Sequence, residues 1–207
     1  MKVRLTFSSV KEDEEELLGT ASADPEIHTE FIASKGPNAQ TIEEEVAALG
    51  EAEVIEKSKT VFARDADGNP CLWDYQIKGF FKDACSMLNR AKGTKSSQLV
   101  AYRKIIDGLI MVYPRKIRLV IPNGAEVGNC QRPLRAQTAQ GERIALAHSE
   151  AAPVGVTIEF EIEAMELAKE KVPISECIEE WLNYGAKRGL GQWRNSGKGR
   201  FRWEKLD

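Results

Sequence analysis

Soft metal-binding side chains are scarce in this chain of 207 residues, which holds two histidines and four cysteines. The cysteines, at 71, 85, 130 and 177, form no C-x-x-C pair. Zinc-ligand spacing is therefore missing, and reduced cytosolic thiols are the expectation. No apolar run approaches the roughly 20 residues that a membrane-spanning helix needs. The opening "MKVRLTFSSV" alternates apolar and polar residues, so it reads as a strand and lacks the apolar centre of a signal peptide. There is no P-loop, no H-E-x-x-H and no Ser/His/Asp set. These absences predict a cytoplasmic protein without metal or cofactor, and they give no residue a catalytic role.

What the chain does hold is charge, unevenly placed. Hydrophobic residues make up 42% and charged residues 29%, ordinary for a globular protein, and the net charge is only −3. Residues 10–56 nonetheless carry fourteen acids against two lysines. Residues 78–135 reverse this with twelve basic residues against three acids, and residues 185–207 hold seven against two. Binding to a polyanion depends on where charge sits, so the balance of the whole chain does not exclude it.

The elements follow from period and punctuation. "KVRLTFSS" places Val3, Leu5 and Phe7 on one face of a first strand. Short helix candidates lie at "DPEIHTEFIAS", with Asp24 as N-cap and Pro25 as first helical residue, and at "TIEEEVAALG", closed by Gly50. "VIEKSKTVFARDADGNPCLWD" reads as a hairpin turning at Gly68. A helix over "YQIKGFFKDACSMLNRAKG" aligns Ile77, Phe81, Cys85 and Leu88, and a second, capped by Ser97, runs through "SSQLVAYRKIIDGL". Strands at "RKIRLVIP", "RPLRAQ" and "GVTIEFEIEAM" precede a last helix, "PISECIEEWLNYGAKRG", and a final strand, "GRFRWEKL". This order predicts one α+β domain over residues 1–207, with helices on one face of an antiparallel sheet. Residues 10–55 form an acidic insertion after the first strand.

Between the last helix and the last strand lies "GLGQWRNSGKG", which combines four glycines with cations and a tryptophan. Glycines let main-chain N–H groups approach a phosphate closely, and Lys and Arg supply the charge. Gly189, Gly191, Gly197 and Gly199, with Arg194 and Lys198, are the candidates for that role. Trp193 is placed to stack on a base. Trp203 and Phe201 alternate along a strand and read as core. Lys78 opens a helix, while Arg132 and Arg135, with Arg115 and Arg118, extend a positive track along strands.

This C-terminal helix, loop and strand resemble the glycine-rich element of the RAMP superfamily, the ferredoxin-like RNA-binding proteins of CRISPR systems. "VFARDADGNPCLWDYQIKGFFKDACSML" is similar to the hairpin and helix start of the backbone subunits of CRISPR effector complexes, with Asp65, Gly68, Pro70, Lys78 and Gly79 in matching positions. In "RPLRAQTAQGERIALAHSEAAPVGVTIEFEIEA", Glu150, Pro153 and Gly155 fall in step with a third stretch of those subunits. The matches span residues 65–205. One departure stands out: the family's Pro-Gly-Ser-Ser is replaced by Trp73, Asp74, Tyr75, Gln76 and Ile77 before the Lys-Gly, which fits a diverged, solitary relative such as a phage-encoded copy.

The resemblance implies a ferredoxin-like, RRM- or RAMP-like sheet and a protein that binds single-stranded RNA or DNA while assembling side by side into an oligomer or filament. An interaction or inhibitor protein engaging a host CRISPR or nucleic-acid-processing complex is the alternative, favoured by the acidity of "KEDEEE" and "IEEE". A RAMP-type endoribonuclease is the third reading. It would draw on His28, or on Asp13 or Asp24 after the first strand.

Overall fold

The computed structural model describes residues 1–7, 17–18, 59–138, 141–166 and 172–206; at 17–18, 131–138 and 141–147 the description is of the backbone only. The first strand, β1 (Lys2–Thr6), buries Val3 and Leu5 and turns Lys2, Arg4 and Thr6 outward, as its alternation predicts. A two-residue strand β2 (Leu17–Leu18) follows within the acidic stretch. The helix candidates at 24–34 and 41–50 lie outside the described residues.

The hairpin forms where the sequence places it, as β3 (Ala63–Arg64) and β4 (Pro70–Trp73). Gly68 takes φ +82, and the Asp65 carboxylate accepts the N–H groups of Asp67 and Asn69 at 2.9 and 2.8 Å. Helix α1 (Asp74–Leu88) then starts at once. Its partner α2 (Tyr102–Leu109) is shorter than the sequence pattern suggests. Residues Ser96–Gln98 form a separate 3-10 turn, Leu99 drops into the core, and Ala101 at φ +54 restarts the chain as α2. Glu180 sets this break: its carboxylate accepts the Lys95 and Ser96 N–H groups and the Ser96 hydroxyl at 2.6–3.0 Å. Ser96, rather than Ser97, is the buried serine, and its Oγ also accepts from the indole of Trp181.

Strand β5 (Ile110–Tyr113) continues directly from α2, followed by β6 (Lys116–Val120). A long hairpin, β7 (Gly128–Thr138) and β8 (Gly141–Ala152), is paired along its whole length. Strand β9 (Thr157–Ala164), helix α3 (Ile174–Arg188) and strand β10 (Arg202–Lys205) complete the described elements.

The principal sheet is ordered β10-β1-β9-β6-β4-β3, with β5 also pairing β9, and each of these pairings is antiparallel. Strand β9 thus lies between β1 and β6, and β1 lies between β9 and β10. A smaller sheet runs β2-β8-β7. Val3 and Leu5 from β1, Ile158, Phe160 and Ile162 from β9, and Ile117 and Leu119 from β6 meet Ile77, Phe81, Trp181 and Leu182 of the helices in one cluster. Ile105 and Ile106 of α2 join the same cluster, so the three α-helices described share one face of the sheet. Burying each large apolar side chain there stabilises the fold by about 1.5–3 kcal/mol. Gly155, from the Glu-x-x-Pro-x-Gly stretch, donates to the Phe7 carbonyl at 2.7 Å and ties the start of β9 to the end of β1.

Candidate nucleic-acid interface

Helix α3 ends because Gly189 leaves the helical region at φ +89 while its N–H still reaches the Gly185 carbonyl at 2.7 Å. The chain then makes a loop whose two limbs touch backbone to backbone. Leu190 N–H donates to the Gly199 carbonyl at 2.8 Å. A Cβ on Gly199 would lie 1.9 Å from the Leu190 carbonyl oxygen, and one on Gly189 would lie 2.4 Å from that of Lys198. Gly189 and Gly199 are buried, and the close approach they permit is made to the loop's own opposite limb.

Beyond this neck the loop opens. Gly191 and Gly197 adopt φ +85 and +88, Trp193 takes φ +51, and Arg194–Ser196 form a 3-10 turn. Arg188, Gly191, Gln192, Trp193, Arg194 and Asn195 line a groove of about 280 Å³. Of the residues singled out in the sequence, Gly191, Trp193 and Arg194 come together here. Gly189, Gly197, Lys198 and Gly199 are not among the lining residues. The groove adds Arg188, Gln192 and Asn195. A sequence signal for them exists only as polar residues beside a glycine-rich loop.

Both arginines of the groove have partners. Arg188 Nη1 donates to Asn195 Oδ1 at 2.8 Å, across the loop from the helix end. Arg194 Nη1 pairs with Asp83 Oδ2 of α1 at 2.5 Å, with the two side chains 25% and 37% exposed, so the loop is tied to a second helix. Trp193 is half-buried. By contrast, Phe201 is fully buried edge-on against Phe7 and Phe80, and Trp203 packs on the core and donates to Asn183 Oδ1.

The other sequence candidates lie elsewhere. Because "DYQI" winds into helix, α1 begins at Asp74, and Lys78 stands in the second turn rather than at the helix start. Its Nζ donates to the Asp107 carbonyl at 3.2 Å. The first turn is instead occupied by Asp74, whose N–H donates to the Arg115 carbonyl, and by Gln76, which accepts from the Trp73 N–H. Arg132 and Arg135 lie on β7 opposite Ala147 and Ile144, and their side chains are outside the description. Arg115 sits over the Trp73 ring and 3.4 Å from Asp74, while Arg118 donates to Asn69 Oδ1.

Asp13, Asp24 and His28 are outside the described residues. His148 is buried on β8, and its Nε2 has no partner among the described residues.

The sheet face away from the helices is acidic at its centre. Glu159, Glu161 and Glu163 of β9 point outward. Arg4 bridges Glu159 and Glu204 at 2.6 and 2.8 Å. Its hydrogen bonds to Glu159, then to Glu204, hold the guanidinium above its usual, already high pKa. Among the described residues, no helix is long and apolar enough to cross a membrane.

Fold and site together define an α+β protein with an antiparallel sheet and a C-terminal basic, glycine-rich loop that borders a small open groove. No protein-family model matches the sequence, and no curated protein matches it. Among solved structures the chain is similar to one from the cryo-EM structure of the Type III-B Cmr-beta bound to cognate target RNA. The identity is 14% and the TM-score 0.49, over 100% of this chain and 58% of that one. The chain thus spans little more than half the length of that neighbour.

Proposed function

We propose that the protein binds single-stranded nucleic acid, RNA by the family it resembles, through its C-terminal loop. The groove carries this reading: an aromatic ring stands beside two arginines in a concavity on a glycine-rich turn. Those are the parts that stack a base and hold a phosphate backbone. The strand order β10-β1-β9-β6 supports a ferredoxin-like, RAMP-like sheet, because it interleaves two split β-α-β units. The basic stretches at 78–135 and 185–207, set against acidic residues 10–55, suit copies assembling head to tail along a strand in the cytoplasm.

The test is the purified full chain with a labelled oligouridylate across a salt series. Binding should weaken steeply as salt rises, and a species absorbing at ultraviolet nucleic-acid wavelengths should co-purify. Absent or salt-independent binding overturns the reading. A second reading, a protein that engages a nucleic-acid-processing complex, is favoured by the acid row Glu159, Glu161 and Glu163 on the open sheet face. It would show as a co-purifying protein in place of nucleic acid.

A further inference from the structure

The groove's polar side chains are nearly all of one kind. Arginine has donors only, and so does the indole Nε1–H. Because a guanidinium accepts nothing, the contact between Arg188 and Asn195 fixes the amide with Oδ1 on the arginine, which makes the NH2 group the remaining polar end of this exposed side chain. Apart from the Gln192 amide, the polar groups that the lining residues Arg188, Trp193, Arg194 and Asn195 have left to offer a ligand are N–H donors, one Arg194 nitrogen being held by Asp83. Arg188 uses Nη1 on Asn195, which leaves its Nε and Nη2 edge as a two-pronged fork.

Trp193 supplies a second, independent observation. A bulky L-residue at φ +51 is uncommon, and such strain persists where the surroundings hold it. A flat aromatic ring next to a donor fork suits a ligand with a π face and two adjacent acceptors. The volume of about 280 Å³ lies at the low end for ligand pockets, so it suits one base rather than a run of them.

We infer that the groove selects a guanine base, stacked on Trp193 and read at its O6 and N7 acceptors by Arg188 with help from Asn195. Guanine offers two neighbouring acceptors on one edge, whereas adenine sets an amino donor beside N7 and would meet the arginine fork donor to donor. The inference rests on the strand-binding reading for its ligand's context. The same chemistry also occurs in a free guanine nucleotide.

Four probes separate these cases with the full chain: an oligouridylate carrying one central guanosine, the same strand with adenosine there, the same strand with a deazaguanosine lacking the N7 acceptor, and guanosine monophosphate alone. The guanosine strand should bind about tenfold more tightly than either substituted strand. Arg188→Lys keeps the charge but loses the fork, so it should erase that preference while leaving the salt slope in place. Asn195→Asp, which replaces the presented donor with an acceptor, should reduce the preference without touching the helix end.

Equal affinity for the guanosine and adenosine strands overturns the inference and leaves strand binding standing. Binding of guanosine monophosphate without binding of any strand supports the groove's selectivity and overturns the strand-binding reading. Binding of none of the four overturns both.

Discussion

Trp193 holds its backbone in the left-handed region, where a side chain costs about 1–2 kcal/mol relative to the right-handed one. Asparagine tolerates that region far better, so Trp193→Asn separates folding from binding. The melting temperature should hold or rise slightly, because relieved strain offsets the packing lost from a half-buried ring. Strand affinity should fall roughly tenfold, in line with a base stack of about 1–3 kcal/mol, and the salt slope should not change. Calorimetry and anisotropy on the same preparation check both, and a destabilised variant with full affinity would sink the stacking role. At this scale the sequence marked Gly191, Trp193 and Arg194, which the fold brings to one groove, whereas Gly189 and Gly199 serve the loop's own closure. Arg188 and Asn195 stayed hidden, since their pairing exists only once the loop folds back over the end of α3. Lys78 lies one turn into α1 rather than at its opening, because the helix already begins at Asp74, directly after β4.

Among the elements, the loop's neck and the hairpin turn make separate demands. A methyl group on Gly199 would meet the Leu190 carbonyl oxygen at 1.9 Å, a backbone contact that only a shift of the chain could relieve. Gly199→Ala should therefore destabilise the protein by roughly 2–3 kcal/mol, combining overpacking with a positive φ, and denaturant melts would read it. An unchanged midpoint would mean the limbs are not pressed together. In the hairpin, hydrogen bonds from the Asn69 side chain, with backbone N–H groups of Asn69 and Asp67, hold the Asp65 carboxyl below the usual carboxylate range. A lowered folded-state pKa gives stability that is present above the unfolded value of about 3.9 and is lost as pH falls through the folded value. Carboxyl titration by NMR should place Asp65 below the usual carboxylate range, and Asp65→Asn should flatten this acid-side dependence. A normal or raised value would contradict the turn geometry. The hairpin was legible from "DADGNP", whereas β5 was not, because Asp107 and Gly108 stay helical and the apolar run passes from Leu109 of the helix straight into Ile110 of the strand. The sequence of β8 is rich in Ala and Glu, residues that strands disfavour, so only its pairing with β7 reveals it.

For the whole molecule, charge decides which surface a strand can follow. Sheet-face readers of RNA stack bases on aromatics of their central strands, but here the central strand β9 turns Glu159, Glu161 and Glu163 outward. Beside them on β1, Lys2 stands 3.9 Å from Glu159 and Arg4 bridges Glu159 and Glu204, so the cations at the centre of that face are already drawn to carboxylates. A strand bound at the C-terminal loop is therefore expected to leave over the loop's basic rim. One cation of that rim is already engaged, since Arg194 pairs with Asp83 of α1. A partly exposed ion pair of this kind contributes only about 0–1 kcal/mol to folding. Asp83→Asn should then cost little stability while freeing the guanidinium for phosphate. Single-strand affinity should rise, and the slope of log affinity against log salt should steepen by about 0.7, the increment for one added phosphate contact. The opposite outcome has its own meaning. If the pair exists to position the loop, Asp83→Asn will loosen the groove and weaken binding at an unchanged slope. In that case Arg194 acts as a brace rather than as a contact to the strand.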